Sequence, residues 1–357
     1  MKLISIPEDK YEEYRLNAIF DCYKWDPQFL DNNTVAKHIL VLTEEEHKEI
    51  KKLTEKLDIE TTNAEEFLNN NLSLSKPLYL PKQIYKELNN MKNYDKDKHI
   101  RLMRYDFHPT IEDKWMISEV NSDVPGGFAE SSLLPELAIK TLKLDKKYTS
   151  INFGEIITSA ITKKVKTKGN IMMVHCTSYS DDRQVMQFLG DKLSDKGFNI
   201  IYGAADHIHF KDNKAYSILS NNECELDGIF RFTPLEWLKN IKPKHWSGYF
   251  DTITPSCNHP IAIFAQTKRF PLIWNSLEEN NIKLDTWKEL LPETIEVSAS
   301  KNKEGFIYKP ACGRVGEKIS IKEGCFEGEY EEILKDVKRH PTIKNKQTNN
   351  NTVKSKM

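Results

Sequence analysis

The chain is predicted to fold as a mixture of α/β and α+β, on three observations. Residues 170–205 read as strand, helix, strand with short polar joints. Residues 99–121 read as a hairpin, and residues 303–324 as a second hairpin around a glycine-containing turn. The first pattern is a βαβ unit of parallel sheet. The other two require antiparallel pairing across a short connection. At 357 residues the chain exceeds what one hydrophobic core usually serves, so two or three domains are expected.

Each element follows from its local pattern. TEEEHKEIKKLTEKL, from Thr43, predicts a helix, with Thr43 as cap, acids in the first turn and lysines later. NAEEFLNNNLSL and PKQIYKELNNM predict two further short helices. HIRLMRYDFHP and KWMISEVN, joined by the polar stretch Thr110 to Lys114, predict the first hairpin. FAESSLLPELAIKTL predicts a helix despite Pro135. NIMMVHC, RQVMQFLGDKLSDKG and NIIYGAA supply the βαβ unit, whose helix should close at Gly197. DGIFRF adds a strand that ends at TPLEW. Around Lys309, apolar residues mark one strand, and Ile319 and Ile321 alternate in the next. The final IKNKQTNNNTVKSKM is Lys- and Asn-rich with no apolar period, and is expected to be disordered.

Composition narrows the function classes. Apolar residues make up 39% of the chain, enough for globular cores. A net charge of −1 gives no global field directed at nucleic acid or at an anionic membrane. No apolar run approaches a membrane span, and the N-terminus turns acidic within a few residues, so a cytoplasmic protein is expected. The six cysteines are scattered without CxxC or zinc spacing and read as free thiols. There is no GxGxxG after the first βαβ strand, no Walker A motif, no GxSxG and no HExxH.

Three constellations carry chemistry. In SEVNSDVPGG, Glu119 and Asn121 lie two apart and share a strand face, offering a carboxylate and an amide oxygen to a hard cation. Arg104 and Asp106 in RYDF lie two apart as well, and the hairpin can bring them beside that pair. Together these suit magnesium with a phosphate or acyl phosphate; a surface salt bridge is the alternative. In YKPACGRVG, Lys309 with Gly313 and Gly316 matches a phosphate cradle, with an ordinary hairpin turn as the alternative. In RFTPLEWL, Glu236 follows a strand end, where open parallel sheets hold their ligands, and could meet a cationic substrate group or simply start a helix. Lys268 in AQTKRFPLIW is open to either reading.

Taken in order, RYDF, WMISEVNSD, FRFTPLEW, QTKRFPLIW and YKPACGRVG resemble the glutathionylspermidine synthase family, over roughly residues 100–325. That family belongs to the ATP-grasp ligases and is related in fold to eukaryotic glutathione synthetase. Its E-x-N strand precedes its phosphate-binding lysine strand, the reverse of most ATP-grasp enzymes, and this chain has the same order, with Glu119 ahead of Lys309.

The resemblance implies a circularly permuted, glutathione synthetase-like ATP-grasp fold with a Rossmann-like pre-ATP-grasp domain. Residues 1–160 would supply N-terminal helices and metal-binding strands, 165–260 the Rossmann-like substrate domain, 261–340 the lysine and glycine-loop lobe, and 341–357 a disordered tail. It implies ATP and Mg2+ as cofactors. Asp106, Glu119 and Asn121 would bind magnesium, Arg104 would stabilise the transferring phosphoryl group, and Lys309, Gly313, Gly316 and Lys268 would hold ATP. Small-molecule carboxylates and amines of peptide or polyamine type would be the partners, with no nucleic acid and no membrane, and with room for a homodimer. Two departures stand out. Val124 occupies a position where the glutathione-using branch carries a hydroxyl residue, which points away from glutathione and spermidine. EEILKDVKRHP then leads straight into the polar tail, without the family's adenine-holding hinge strand or late metal carboxylate, so an incomplete lobe with weak or no ligase activity is the alternative expectation.

Overall fold

A computed structural model describes residues 1–29, 31–297, 305–313, 319–321 and 342–346. They form two units, each drawn from three stretches of chain. The first takes Met1–Lys48, Met91–Leu102 and Val124–His259. The second takes Glu49–Asn90, Met103–Asp123 and the chain from Pro260 onward. The expected segment 1–160 is therefore divided between them.

The first unit is built on a parallel four-stranded sheet, in the order Ser256–Cys257, Gly228–Arg231, Asn170–Val174, Asn199–Gly203. Ile171 to Val174 are all buried, as a central parallel strand covered on both faces requires. The crossover helix Ser180–Asp195 ends where Gly197 turns left-handed, at φ +88°. Helices Phe128–Leu142 and Phe153–Thr162 contribute Phe128, Ile157 and Ile161 to the core shared with Phe188, Leu189 and Phe230. Val124 is buried in this same core. This is the Rossmann-like unit the βαβ pattern predicts. Two features lie outside that reading: Lys2–Ser5 pairs antiparallel with His38–Val41, and Ile208–Lys211, Lys214–Ser217 and Cys224–Glu225 make a small antiparallel sheet.

The second unit contains most of one long helix, Glu44–Asn70, in place of the two predicted. Its start has a capping box: the Glu46 N–H donates to Thr43 Oγ1 at 3.2 Å, and the Thr43 N–H donates to the Glu46 carboxylate at 2.8 Å. Arg104–Pro109 and Trp115–Asn121 form the expected antiparallel hairpin. A four-stranded antiparallel sheet runs in the order Thr294–Glu296, Thr342–Lys346, Phe306–Pro310, Ser320–Ile321. Thr342–Lys346 corrects the expectation of a structureless tail from residue 341. Its one strongly apolar residue, Ile343, is 1% exposed, and ladders on both sides supply the order that its polar sequence does not advertise.

The described cysteines Cys22, Cys176, Cys224, Cys257 and Cys312 are all free, as their spacing suggests. Among the described residues no helix is long and apolar enough to cross a membrane.

Candidate functional site

The hairpin contains a bulge that decides which way Glu119 points. Tyr105 pairs with Val120 and Phe107 with Ile117, so Ser118 and Glu119 together face Asp106 alone. In an unbroken strand Glu119 would share the face of Trp115 and Ile117, both buried. The extra residue shifts the phase: Val120 becomes buried, and Glu119 and Asn121 turn to the half-buried polar face. Arg104 stands directly opposite Asn121. All four residues read from RYDF and SEVN thus meet in one hairpin.

Two lysines of the same unit converge on it. Lys309, in the strand Phe306–Pro310 and 8% exposed, donates from Nζ to the carbonyl of Ser118 at 3.0 Å. Lys268 follows the short helix Ile263–Gln266 and is held through its backbone N–H by the carbonyl of Ala311 at 2.8 Å. Its Nζ lies 2.7 Å from the carbonyl oxygen of Gly313 and 3.1 Å from Glu119 Oε2. A small pocket of about 30 Å³ opens here, lined by Glu119, Lys268, Lys309, Thr267, Trp287 and their neighbours. The Gly313 carbonyl thus lies beside the Lys268 ammonium. Gly316 lies outside the described residues.

Charges in this cluster neutralise one another. Burial pushes the Glu119 carboxyl up, but Lys268, Lys309 and the Asn121 amide outweigh it and leave the group below its ordinary value. Burial lowers Lys309; Glu119 opposes that shift and Lys268 adds to it. Arg104 grips Asp106 with two bonds, Nε to Oδ1 at 2.7 Å and Nη2 to Oδ2 at 3.0 Å. Asn121 Nδ2 donates to Glu119 Oε1 at 3.4 Å.

The donor set suits a hard divalent cation. Glu119, Asp106 and Asn121 offer oxygen only, the preference of magnesium and not of zinc. Among the described residues no three His, Cys, Asp or Glu side chains gather into a metal centre, so a cation here would rest on two carboxylates and one amide. The ammonium groups of Lys268 and Lys309 fit phosphate oxygens that such a cation would accompany.

Glu236 belongs to the first unit. It lies 6% exposed in the short helix Leu235–Leu238, just past the carboxyl end of the strand Gly228–Arg231. Arg231, 1% exposed, donates from Nη1 to Thr233 O at 2.7 Å and from Nη2 to Asn258 O at 3.0 Å, which fixes the turn that leads into Glu236.

One residue escaped the sequence reading. Gln266, two before Lys268 and 3% exposed, accepts the backbone N–H groups of Ser122 and Asp123 on a single oxygen, each at 2.8 Å. Ser122 Oγ also donates to Ala262 O at 3.1 Å. The end of the Glu119 strand is thereby tied to the helix that directly precedes Lys268. A buried amide next to a candidate lysine was the available signal.

A family model described as glutathionylspermidine synthase preATP-grasp matches residues 16–352. Among solved structures, the chain is similar to a glutathione synthetase-like effector from Globodera pallida in its apo form, with a TM-score of 0.58 and 11% identity. That match covers 96% of this chain and 82% of the other, and it identifies the fold as glutathione synthetase-like. No curated protein sequence matches the chain.

Proposed function

Because the chain belongs to the glutathionylspermidine synthase preATP-grasp family, we propose that it is an ATP- and magnesium-dependent ligase joining a carboxylate to an amine. The observation that carries this reading is the convergence of Lys268 and Lys309 on the strand segment Ser118–Glu119. Two ammonium groups beside Glu119, on a hairpin that also carries Asp106 and Asn121, fit a metal–polyphosphate ligand better than either charge type alone would.

The roles divide by chemistry. Glu119, Asp106 and Asn121 would hold the cation, and Lys268 and Lys309 the phosphates, with Gly313 giving the backbone room to approach. Arg104, half-exposed opposite Asn121, would face the phosphoryl group in transfer. ATP would pass its terminal phosphoryl group to a carboxylate, releasing ADP, and an amine would then displace phosphate from the acyl phosphate, losing a proton to form the amide. Such transfer depends on positioning and charge neutralisation, and no covalent nucleophile is needed. Glu236 is the candidate contact for the cationic amine.

The test is ADP release by the full chain with MgATP across a panel of amino acids, peptides and polyamines, with Glu119→Gln as control. Amine-dependent ADP release that falls about a hundredfold in the variant supports the reading. Full activity in Glu119→Gln would remove Glu119 from the metal site. MgATP binding without ADP release on any pair would instead favour a nucleotide-binding module.

A further inference from the structure

Every carboxylate of the candidate metal site already has a cation of the protein on it. Lys268 Nζ lies 3.1 Å from Glu119 Oε2, and Arg104 holds both oxygens of Asp106. The amide of Asn121 turns its Nδ2 toward Glu119 Oε1. Lys309 contributes a third positive charge 3.0 Å from the Ser118 carbonyl, one residue from Glu119. Lys268 and Arg104 thus each occupy a carboxylate that a metal would need.

A divalent cation arriving alone therefore meets a Glu119 and an Asp106 that are already paired. A polyphosphate changes this. It brings several negative charges, and its oxygens compete with Glu119 for the Lys268 ammonium. Lys268 is also well placed to change partner: its Nζ retains the Gly313 carbonyl at 2.7 Å, and its backbone stays on Ala311. Only the bond to Glu119 has to break.

We propose that Lys268 is an internal counter-cation that occupies Glu119 until a polyphosphate draws it away, so that divalent metal and nucleotide bind with positive coupling. The proposal rests on the ligase reading for the identity of the ligands. By linkage, the factor by which nucleotide tightens metal binding equals the factor by which metal tightens nucleotide binding. Lys268 is thus a positioning residue for the metal as well as a contact for phosphate.

The experiment measures Mn2+ alone, by loss of the free-ion EPR signal, on the full chain without nucleotide. Wild type should bind weakly. Lys268→Met should bind at least about tenfold more tightly, because Glu119 is released and a positive charge removed. Lys268→Gln should behave likewise, and Lys268→Arg, which keeps the charge, should bind as weakly as wild type. Adding Glu119→Gln to Lys268→Met should abolish the gain. In calorimetry without metal, ADP should bind Lys268→Met about tenfold more weakly than wild type.

Equal Mn2+ affinity in wild type, Lys268→Met and Lys268→Gln would overturn the proposal. So would a gain that survives the loss of Glu119. The two readings fail separately: absence of ADP release and of ADP affinity in wild type would defeat the ligase reading, while the Mn2+ series decides the role of Lys268. Circular dichroism and thermal unfolding of each variant distinguish a folded from an unfolded chain, and the Met, Gln and Arg replacements give independent readings at the same position.

Discussion

The side-chain oxygen of Gln266 accepts the backbone N–H of Ser122 at 2.8 Å, at a position where both residues are buried. The neighbouring N–H of Asp123 converges on the same oxygen. These donors come directly after Asn121, and the acceptor comes two residues before Lys268, so one amide sets the spacing of the oxygen strand from the lysine. Gln266→Leu leaves two buried N–H groups without that acceptor, a loss of roughly 1–3 kcal/mol for each unsatisfied group. The variant should lose stability in urea, and its Ser122 and Asp123 amides should exchange with deuterium faster. Gln266→Glu keeps an acceptor oxygen and should restore slow exchange; if both variants exchange at the wild-type rate, the tie is not holding the strand.

Thr61 invites a similar test in the same unit. Fully buried in the helix Glu44–Asn70, it donates to Leu57 O at 2.6 Å and accepts the indole N–H of Trp287 at 3.0 Å. Its Oγ1 also lies 3.1 Å from the Tyr105 hydroxyl. Thr61→Val keeps the shape and removes the oxygen, leaving the Trp287 N–H in an apolar setting. A loss of about 2 kcal/mol is expected, against under about 1 kcal/mol for Thr61→Ser. Urea unfolding followed by tryptophan fluorescence reads both.

Thr61 also explains one limit of the sequence reading. The run Thr61, Thr62, Asn63 consists of weak helix formers, which locally reads as a break between two helices. The helix continues because Thr61 is satisfied by Trp287, more than two hundred residues away in the chain. The capping box at Thr43 was legible because both halves of it are local. So was the Asn170–Val174 strand, whose apolar run leaves few alternatives. The hairpin was legible too, but not its bulge: nothing in WMISEVN announces that the phase changes between Ser118 and Glu119, yet that change aims Glu119 at the lysines. Strand Lys2–Ser5 escaped because its partner lies at His38–Val41, and no local signal joins them. The ordering of the E-x-N strand before the lysine strand was legible as a resemblance. The tie through Gln266 was not, since it joins an amide to a backbone about 140 residues away.

Gly190 sets helix propensity against packing. It lies inside the helix Ser180–Asp195, where alanine is ordinarily better by roughly 1 kcal/mol. A Cβ there would come within 2.1 Å of the Tyr202 hydroxyl and 3.2 Å of Ile200 Cγ2. Tyr202 is not free to swing away, because the Arg183 guanidinium lies over its ring at 4.2 Å. Overpacking of this kind costs about 1–3 kcal/mol, so packing should win. Gly190→Ala is expected to lower the urea midpoint; an unchanged or raised midpoint would mean that helix and sheet can separate at little cost.

Acid should destabilise the first unit through a buried histidine pair. His99 and His259 pack with ring centroids 4.6 Å apart, and Tyr94 lies against both. His99 accepts the Ser256 N–H on Nδ1 at 3.3 Å, and His259 donates from Nε2 to Phe250 O at 3.1 Å. Burial pushes His99 down to about 4, with Asp95 opposing and Lys98 and Lys164 adding to the fall. Burial and the facing His99 push His259 down as well. Both rings are therefore neutral in the fold, while in the unfolded chain they take up protons near 6.5. A depressed histidine contributes stability that is whole above 6.5 and is lost as pH falls toward the folded value. For His99, at about 1.4 kcal/mol per pH unit, the loss reaches about 2–3 kcal/mol near pH 4.5. His99→Gln cannot titrate and leaves His259 in place. Urea unfolding of both proteins between pH 7.5 and 4.5 should show the advantage of the wild type shrinking by about that amount. A constant difference across the range would mean that His99 keeps its ordinary affinity for protons in the fold.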